Sequence, residues 1–206
     1  MSYLNMEISG FLDELASKAP VPGGGGASAL CGALAASLAA MVGGLTVGKK
    51  KYASVEKEVS GSIERLTSLR GRLCELMDED AKAFAPLAAA YSMPKDDPER
   101  DAVMETCLRD AALPPLHIMR TCVQVLEETG IMAEKGSAMA ASDAGCAAKL
   151  AEAAAYCAML NVKINTKSMK DRAFAEDVDF EAAGLMARCG KLAGDICGSV
   201  EGGLAI

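Results

Sequence analysis

Asp80 is the residue that departs most clearly from the pattern around it. It falls at helical spacing on an apolar stripe that includes Leu73, Phe84 and Leu87, so the sequence predicts that its carboxylate points inward. An inward carboxylate needs a hydrogen-bonding or cationic partner, and without one its pKa rises. A structural bond to a neighbouring helix end would explain the same pattern, so Asp80 is a candidate for either role.

Three further polar residues have types and positions that suit chemistry. Asp143 follows Ser142, the predicted cap of a helix, and lies in the first helical turn, where the helix dipole stabilises a negative charge. Asn161 and Asn165 are spaced i, i+4 on an otherwise apolar face, with Lys163 between them on another side. Paired amides can recognise the donor and acceptor edge of a heterocycle, or merely bond one another. Asp143 can likewise be only a cap.

A glycine run lies where a helix is predicted to begin. The Pro-Val-Pro sequence at residues 20–22 forbids helix, and a helix-compatible, mostly small or apolar segment follows the run. Glycines let the backbone approach another group closely, and a helix N-terminus presents free N–H groups to an anion or a polar ring edge. A flexible entry to a core helix is the alternative. The run consists of Gly23, Gly24, Gly25 and Gly26.

The glycine run belongs to thirty uncharged residues, 19–48, which Lys49, Lys50 and Lys51 follow. This length could span a membrane with a basic flank. However, the segment is rich in Ala, Gly and Ser, and it separates into a small-residue ridge and a bulky ridge, as in closely packed helices. We therefore predict a central helix, buried on all sides, in a soluble protein with no membrane partner.

The rest of the sequence predicts an all-α fold, a multihelical bundle in a single domain over residues 1–206. Aromatic residues are few, tryptophan is absent, and Ala, Leu and Met are common. The first three predicted elements are a short helix carried by Ile8 to Leu15, the central helix, and a long helix from about Tyr52 to Tyr91. Next comes a helix that Asp97 caps, that Pro114-Pro115 kinks or splits, and that Gly130 closes. A loop from Glu134 to Ala141, a helix from Ser142 to about Thr166, and a last helix capped by Asp179 complete the chain.

Charge and cysteine usage exclude several classes of function. The net charge of −7 argues against non-specific nucleic-acid binding. The eight cysteines form no C-x-x-C pair and mostly fall on apolar faces, which indicates reduced thiols in a cytoplasmic protein. The lone His117 has no second histidine at metal-ligand spacing, so we expect no metal site.

Four segments together carry a resemblance to a known family. They are PVPGGGGASALCGALAASLAAMVGGLTVGKKKY, then DEDAKAF around Asp80, SDAGCAA around Asp143, and LNVKINT around Asn161 and Asn165. In this order they resemble the formiminotransferase-cyclodeaminase C-terminal family over nearly the whole chain. The resemblance implies an all-helical homodimer that acts on tetrahydrofolate one-carbon derivatives without a metal or redox cofactor. The sequence shows no formiminotransferase domain, which favours a stand-alone, bacterial-type enzyme.

The resemblance implies a specific reaction and a role for each candidate residue. We expect hydrolysis of 5,10-methenyltetrahydrofolate to the 10-formyl product; formiminotetrahydrofolate cyclodeaminase activity and a non-catalytic folate-binding protein are the alternatives. Asp80 and Asp143 are expected to share one pocket with the glycine run and Asn161 or Asn165, with Asp143 as the favoured base and Lys163 as a possible partner of Asp80. Lys49, Lys50 and Lys51 would attract the glutamate carboxylates of the folate.

Overall fold

The computed structural model describes residues 2–204, and every regular element in that range is helical, as predicted. The α-helices are α1 (Ile8–Leu15), α2 (Gly24–Gly44), α3 (Glu56–Tyr91), α4 (Arg100–Lys135), α5 (Ala141–Thr166) and α6 (Arg172–Leu204), with 3₁₀ turns at Tyr3–Asn5, Lys50–Tyr52 and Ala138–Ala140. Helix α2 packs against α3 and α5, and α4 contacts α2, α3, α5 and α6. Helix α4 therefore lies behind the layer that contains α2 and α5.

Small residues bring α2 and α5 close together. Gly24 lies beside Asn161, whereas the Cys31 thiol donates to the Leu150 carbonyl, so the two helices run antiparallel. Their contact faces are rich in fully buried alanines, which allow a short distance between the helix axes. This contact fixes the N-terminus of α2 beside the C-terminal half of α5.

The prediction that α2 is buried on all sides is wrong for a single chain. Its small residues are buried, but Leu34 is 52% exposed, Met41 42% and Leu45 45%. The bulky ridge is therefore only partly covered, since Leu30 and Leu38 are partly buried against the core. By length and composition α2 is also the one described helix that could cross a membrane, and 56% of its apolar window is buried in the bundle.

The two adjacent prolines do not split α4. A proline lacks the N–H that would bond the carbonyl four residues earlier, so Pro115 frees the carbonyl of Ala111. The Asn165 side chain of α5 donates to that carbonyl at 3.0 Å. This bond supplies a partner for the buried carbonyl, and α4 continues without a break from Arg100 to Lys135.

Several predicted helix boundaries also differ. Asp171 caps α6 by accepting from the Phe174 N–H at 3.1 Å, whereas Asp179 lies inside the helix and accepts from the Thr166 hydroxyl at 2.7 Å. The predicted cap, Asp179, is therefore wrong, because both aspartates precede apolar residues at helical spacing. Helix α3 begins at Glu56, after a 3₁₀ turn, and not at Tyr52. Helix α4 begins at Arg100 after Glu99, not after Asp97, and it runs past Gly130. Helix α5 begins at Ala141, one residue before the predicted cap Ser142.

Candidate active site

One small cavity brings together three of the polar residues that the sequence singled out: Asp80, Asn161 and Asn165. It has a volume of about 160 Å³ and lies where the glycine entry to α2 meets α3, α4 and α5. Apolar side chains and the Ala111 backbone complete its wall. The lining residues are Pro20, Val21, Gly23, Gly24, Gly25, Asp80, Phe84, Ala111, Asn161, Ile164 and Asn165.

The glycine run is required here because side chains of α3 and α5 press on the backbone of α2. A Cβ built at Gly25 would lie 2.0 Å from Oδ1 of Asp80, and one at Gly24 would lie 2.8 Å from Nδ2 of Asn161. Both distances are too short for any real Cβ contact. Gly24 and Gly25 thus allow the Asp80 carboxylate and the Asn161 amide to reach the first turn of α2.

The Asp80 carboxylate is largely buried at the N-terminus of α2. Burial raises its pKa from the ordinary 3.8 to about 6, and a hydrogen bond from the Gly26 N–H opposes that rise. Among the described residues no lysine or arginine forms an ion pair with it. This hydrogen bond to the first turn of α2 is the structural contact that could by itself explain why the Asp80 carboxylate points inward. The same environment gives a group that exchanges a proton close to neutral pH, as a general base or acid must.

The two asparagine amides use their N–H groups on the protein itself. Nδ2 of Asn165 donates to the carbonyls of Ala111 and Asn161, both at 3.0 Å, and Nδ2 of Asn161 donates to the Cys157 carbonyl at 2.8 Å. The side-chain oxygens of both asparagines accept no hydrogen bond from residues 2–204. These two side-chain oxygens can therefore accept hydrogen bonds from a ligand.

These groups define what the cavity can bind. A carboxylate and two amide oxygens attract N–H donors or a positive charge, while Pro20, Val21, Phe84 and Ile164 offer apolar contact to a flat ring. The combination suits a planar, nitrogen-rich molecule that carries a cation near Asp80. No group of three His, Cys, Asp or Glu side chains within residues 2–204 is placed to hold a metal ion, and all eight cysteines are free thiols.

The structure does not bring every predicted residue to the cavity. Asp143 and Asn161 are on the same helix, eighteen residues apart, which corresponds to about 27 Å. The expectation that Asp80 and Asp143 face one pocket is therefore wrong within a single chain. Lys163 is exposed and forms no ion pair with Asp80, so the structure does not contain the pairing that the sequence left open.

The basic cluster is likewise distant from the cavity. Lys49, Lys50 and Lys51 follow the C-terminus of α2, and the glycines of the site open that helix. Twenty-one helical residues span about 30 Å, so these lysines do not line the cavity of the same chain. Gly26 does not line the cavity either, although its N–H bonds Asp80.

Sequence reasoning missed the apolar wall of the site. Phe84 lies one helical turn after Asp80 on the same stripe, and Ile164 lies next to Asn165. The spacing of four residues from Asp80 could have indicated that Phe84 lies beside the same site. Ala111 gave no signal, because its role depends on a proline four residues later on α4 and an asparagine on α5.

The fold and the cavity define a class: an all-helical protein with a small acceptor-lined site at the glycine-rich N-terminus of a central helix. A protein-family model described as formiminotransferase-cyclodeaminase matches residues 7–184. The chain belongs to this family, as the sequence motifs predicted.

Individual relatives agree with this assignment. A methenyltetrahydrofolate cyclohydrolase of Methylorubrum extorquens is 43% identical over 91% of this chain and 92% of its own length. The mouse formimidoyltransferase-cyclodeaminase is 32% identical over 97% of this chain, which spans 38% of that longer protein. The crystal structure of a formiminotetrahydrofolate cyclodeaminase from Thermotoga maritima matches with a TM-score of 0.90 at 29% identity, covering 97% of this chain and 98% of that one.

Proposed function

We propose that this protein hydrolyses 5,10-methenyltetrahydrofolate to 10-formyltetrahydrofolate. The observation that supports this most directly is the Asp80 carboxylate, held against the first turn of α2 in a cavity whose other polar groups are acceptors. The methenyl substrate is a cation, an amidinium that bridges N5 and N10, and its pterin ring is flat and rich in N–H donors. The relative from Methylorubrum extorquens bears the name of this activity.

The proposed reaction uses Asp80 twice. As a carboxylate it stabilises the cation and takes a proton from water while the water oxygen bonds to the bridging carbon, which gives a neutral carbinol. Protonated Asp80 then gives this proton to N5 as the bond between carbon and N5 breaks. The carbinol hydroxyl loses its proton to solvent as the formyl C=O forms on N10. One cation and one water thus give the formyl product and one released proton.

The pKa of Asp80 suits both steps. With a pKa of about 6, Asp80 is mostly ionised at neutral pH and can act as a base. Once it has taken a proton from water, it can give that proton up again as an acid. Well-placed acid–base catalysis contributes about 10²- to 10⁴-fold in rate. The oxygens of Asn161 and Asn165 would accept N–H donors of the pterin, with Phe84 and Ile164 against the ring. The proposed chemistry uses no metal or redox cofactor.

Cyclodeamination of formiminotetrahydrofolate is the second candidate. The structural similarity to the Thermotoga maritima cyclodeaminase favours it, because the two folds superpose over almost their entire length. In that reaction N10 attacks the formimino carbon and ammonia leaves, so the same carboxylate and pterin-binding groups could serve. The substrate that is turned over decides between the two activities.

Two parallel assays test the proposal. Purified protein, treated with EDTA, is supplied separately with methenyl- and formimino-tetrahydrofolate, and loss of the methenyl chromophore and release of ammonia are followed. We expect loss of the chromophore well above the uncatalysed rate. Ammonia release without methenyl hydrolysis would favour the second candidate. No turnover of either substrate, or activity only after metal is restored, would contradict the proposal.

A further inference from the structure

Asn165 is the most deeply buried of the polar side chains that line the cavity. It is only 7% exposed, yet its side-chain oxygen accepts no hydrogen bond from residues 2–204. No fully buried side-chain nitrogen or oxygen in that range lacks a partner, so this oxygen is open to the cavity. An acceptor held in this way can receive an N–H donor of a ligand.

The N–H groups of the same amide fix its orientation. Nδ2 of Asn165 donates to the carbonyl of Ala111 on α4 and to the carbonyl of Asn161 on α5, both at 3.0 Å. Rotation of the amide by half a turn would replace these hydrogen bonds with contacts between acceptor oxygens, and it would turn the N–H donors into the cavity. The orientation of this one amide therefore decides whether the site recognises a donating or an accepting edge of a ligand.

The Ala111 carbonyl is available to Asn165 because two prolines follow it on α4. In a helix this carbonyl would accept from the N–H four residues later, or less often three residues later. Those positions are Pro115 and Pro114, which have no N–H, and the ring of Pro115 also presses on the carbonyl. An ordinary residue at position 115 would bond the carbonyl within α4 and would weaken its hold on the amide.

Asn161 shows the same type of bond without a proline. Its Nδ2 donates to the Cys157 carbonyl at 2.8 Å, four residues earlier on α5, and that carbonyl also lies in the regular bonding of the helix. Within the described part of the chain one carbonyl holds this amide, and the side chain is partly exposed. The oxygen of Asn165 is therefore the more firmly directed of the two, and a proline supports it.

We propose that Pro115 is a positioning residue: it frees the Ala111 carbonyl, which holds the Asn165 amide with its oxygen toward the ligand. The site then selects a ligand edge that donates hydrogen bonds. The pterin ring of a tetrahydrofolate has such an edge, formed by its N3–H and 2-amino groups. The choice of this ligand rests on the proposed function, whereas the bonding between Pro115, Ala111 and Asn165 does not.

Binding of 5-formyltetrahydrofolate, a stable compound with the same pterin edge, tests the recognition step. Pro115→Ala should raise its dissociation constant about three- to tenfold, because the Ala111 carbonyl gains an N–H within α4 and the amide can then turn. Pro114→Ala is the matched control: it restores an N–H to the carbonyl of the exposed Asp110 and should change the constant by less than about twofold.

Kinetics with methenyltetrahydrofolate should show the same division. Pro115→Ala should raise KM about three- to tenfold and change kcat by less than about twofold, because Asp80 lies on α3, outside this set of bonds. Equal effects of the two proline variants on binding, or a loss that appears in kcat alone, would overturn the proposal.

A double-mutant cycle tests the bonding without any ligand. Asn165→Ala leaves the Ala111 carbonyl without its partner, so it should lower the urea midpoint of unfolding. In a Pro115→Ala background the carbonyl bonds within α4, and the same substitution should lower the midpoint by about half as much or less. In a Pro114→Ala background the loss should be as large as in wild type. Equal losses in all three backgrounds would overturn the proposal. Coupling in this cycle together with no turnover of methenyltetrahydrofolate would contradict the proposed function and not the role of Pro115.

Discussion

The two ends of α2 have similar residues and opposite environments. At the N-terminus, glycines allow a carboxylate and an amide to touch the backbone, since a Cβ at Gly25 would overlap Asp80. At the C-terminus, a Cβ at Gly43 would overlap the apolar side chains of Ile63 and Met132, whereas a Cβ at Gly44 would meet no other group within 4 Å. Glycine thus makes room for a polar site at the N-terminus and for apolar packing at Gly43, whereas Gly44 makes room for no neighbouring side chain.

Charge differs between the two ends in the direction that a helix dipole favours. The Asp80 carboxylate lies at the positive N-terminus of α2, and Lys49, Lys50 and Lys51 follow its negative C-terminus. The lysines follow the helix after a further turn of chain, whereas the carboxylate lines a cavity. The carboxylate thus lines a cavity, and the three lysines are exposed to solvent.

Asp80→Asn should have the largest effect on activity. The amide keeps the shape of the carboxylate and an oxygen that can accept from Gly26, but it cannot carry the proton. Turnover of methenyltetrahydrofolate should fall by about 10²- to 10⁴-fold, while circular dichroism stays native. Asp177→Asn, an exposed acid on α6, is the matched control and should be unchanged. A loss of less than threefold for Asp80→Asn would show that the carboxylate serves α2 only as a cap.

Gly25→Ala should have the next largest effect. Its Cβ would lie 2.0 Å from Oδ1 of Asp80, so the carboxylate or the first turn of α2 must move. We expect turnover to fall by at least about tenfold, because a shift of about 1 Å is enough to misplace a catalytic group. The loss should appear in kcat more than in the free energy of unfolding. Wild-type kcat together with a marked loss of stability would indicate a purely structural glycine.

The stability of the protein should depend on pH through Asp80. The pKa of Asp80 is raised in the folded state, from 3.8 to about 6, so the folded protein holds its proton more tightly than the unfolded chain does. Asp80 therefore destabilises the fold increasingly as pH rises from about 4 to about 6, and by a constant amount above that. Each unit of pKa shift is worth about 1.4 kcal/mol, which gives about 2–3 kcal/mol in all.

Urea unfolding of wild type and Asp80→Asn at several pH values measures this term. The variant should gain stability relative to wild type by about 2–3 kcal/mol between pH 4 and pH 7. A difference that is the same at both pH values would mean that the pKa of Asp80 is not raised by folding.

Most of the fold was predictable because local rules determine it. Helical spacing of apolar residues indicated all six described α-helices but not all of their ends, and the small-residue ridge of α2 correctly indicated close packing. The errors fall where a distant residue decides the outcome. Pro114 and Pro115 would break an isolated helix, but Asn165 bonds the carbonyl of Ala111 that Pro115 frees. Nothing near the prolines in the sequence reveals this bond.

The site was predictable only in part, for the same reason. Asp80 and the glycine run broke local patterns, and the structure places them together. Asp143 also broke a pattern, but helical spacing gives the side of a helix and not its neighbours. Distance along α5 excludes Asp143 from the site of its own chain, which no periodicity argument could show.

The adjacent glycines at the C-terminal end of α2 give the smallest and sharpest test of the comparison. A Cβ at Gly43 would lie 2.6 Å from Cγ1 of Ile63 and 2.9 Å from Cε of Met132. Overpacking of this kind costs about 1–3 kcal/mol, partly offset by up to about 1 kcal/mol from better helix propensity. Gly43→Ala should therefore lower the free energy of unfolding by about 1 kcal/mol, and Gly44→Ala should leave it unchanged or raise it by up to about 1 kcal/mol. Both variants should keep wild-type kcat, since they lie about 30 Å from Asp80 along α2. Loss of turnover in either variant at unchanged stability would show that the C-terminal end of α2 also belongs to the site.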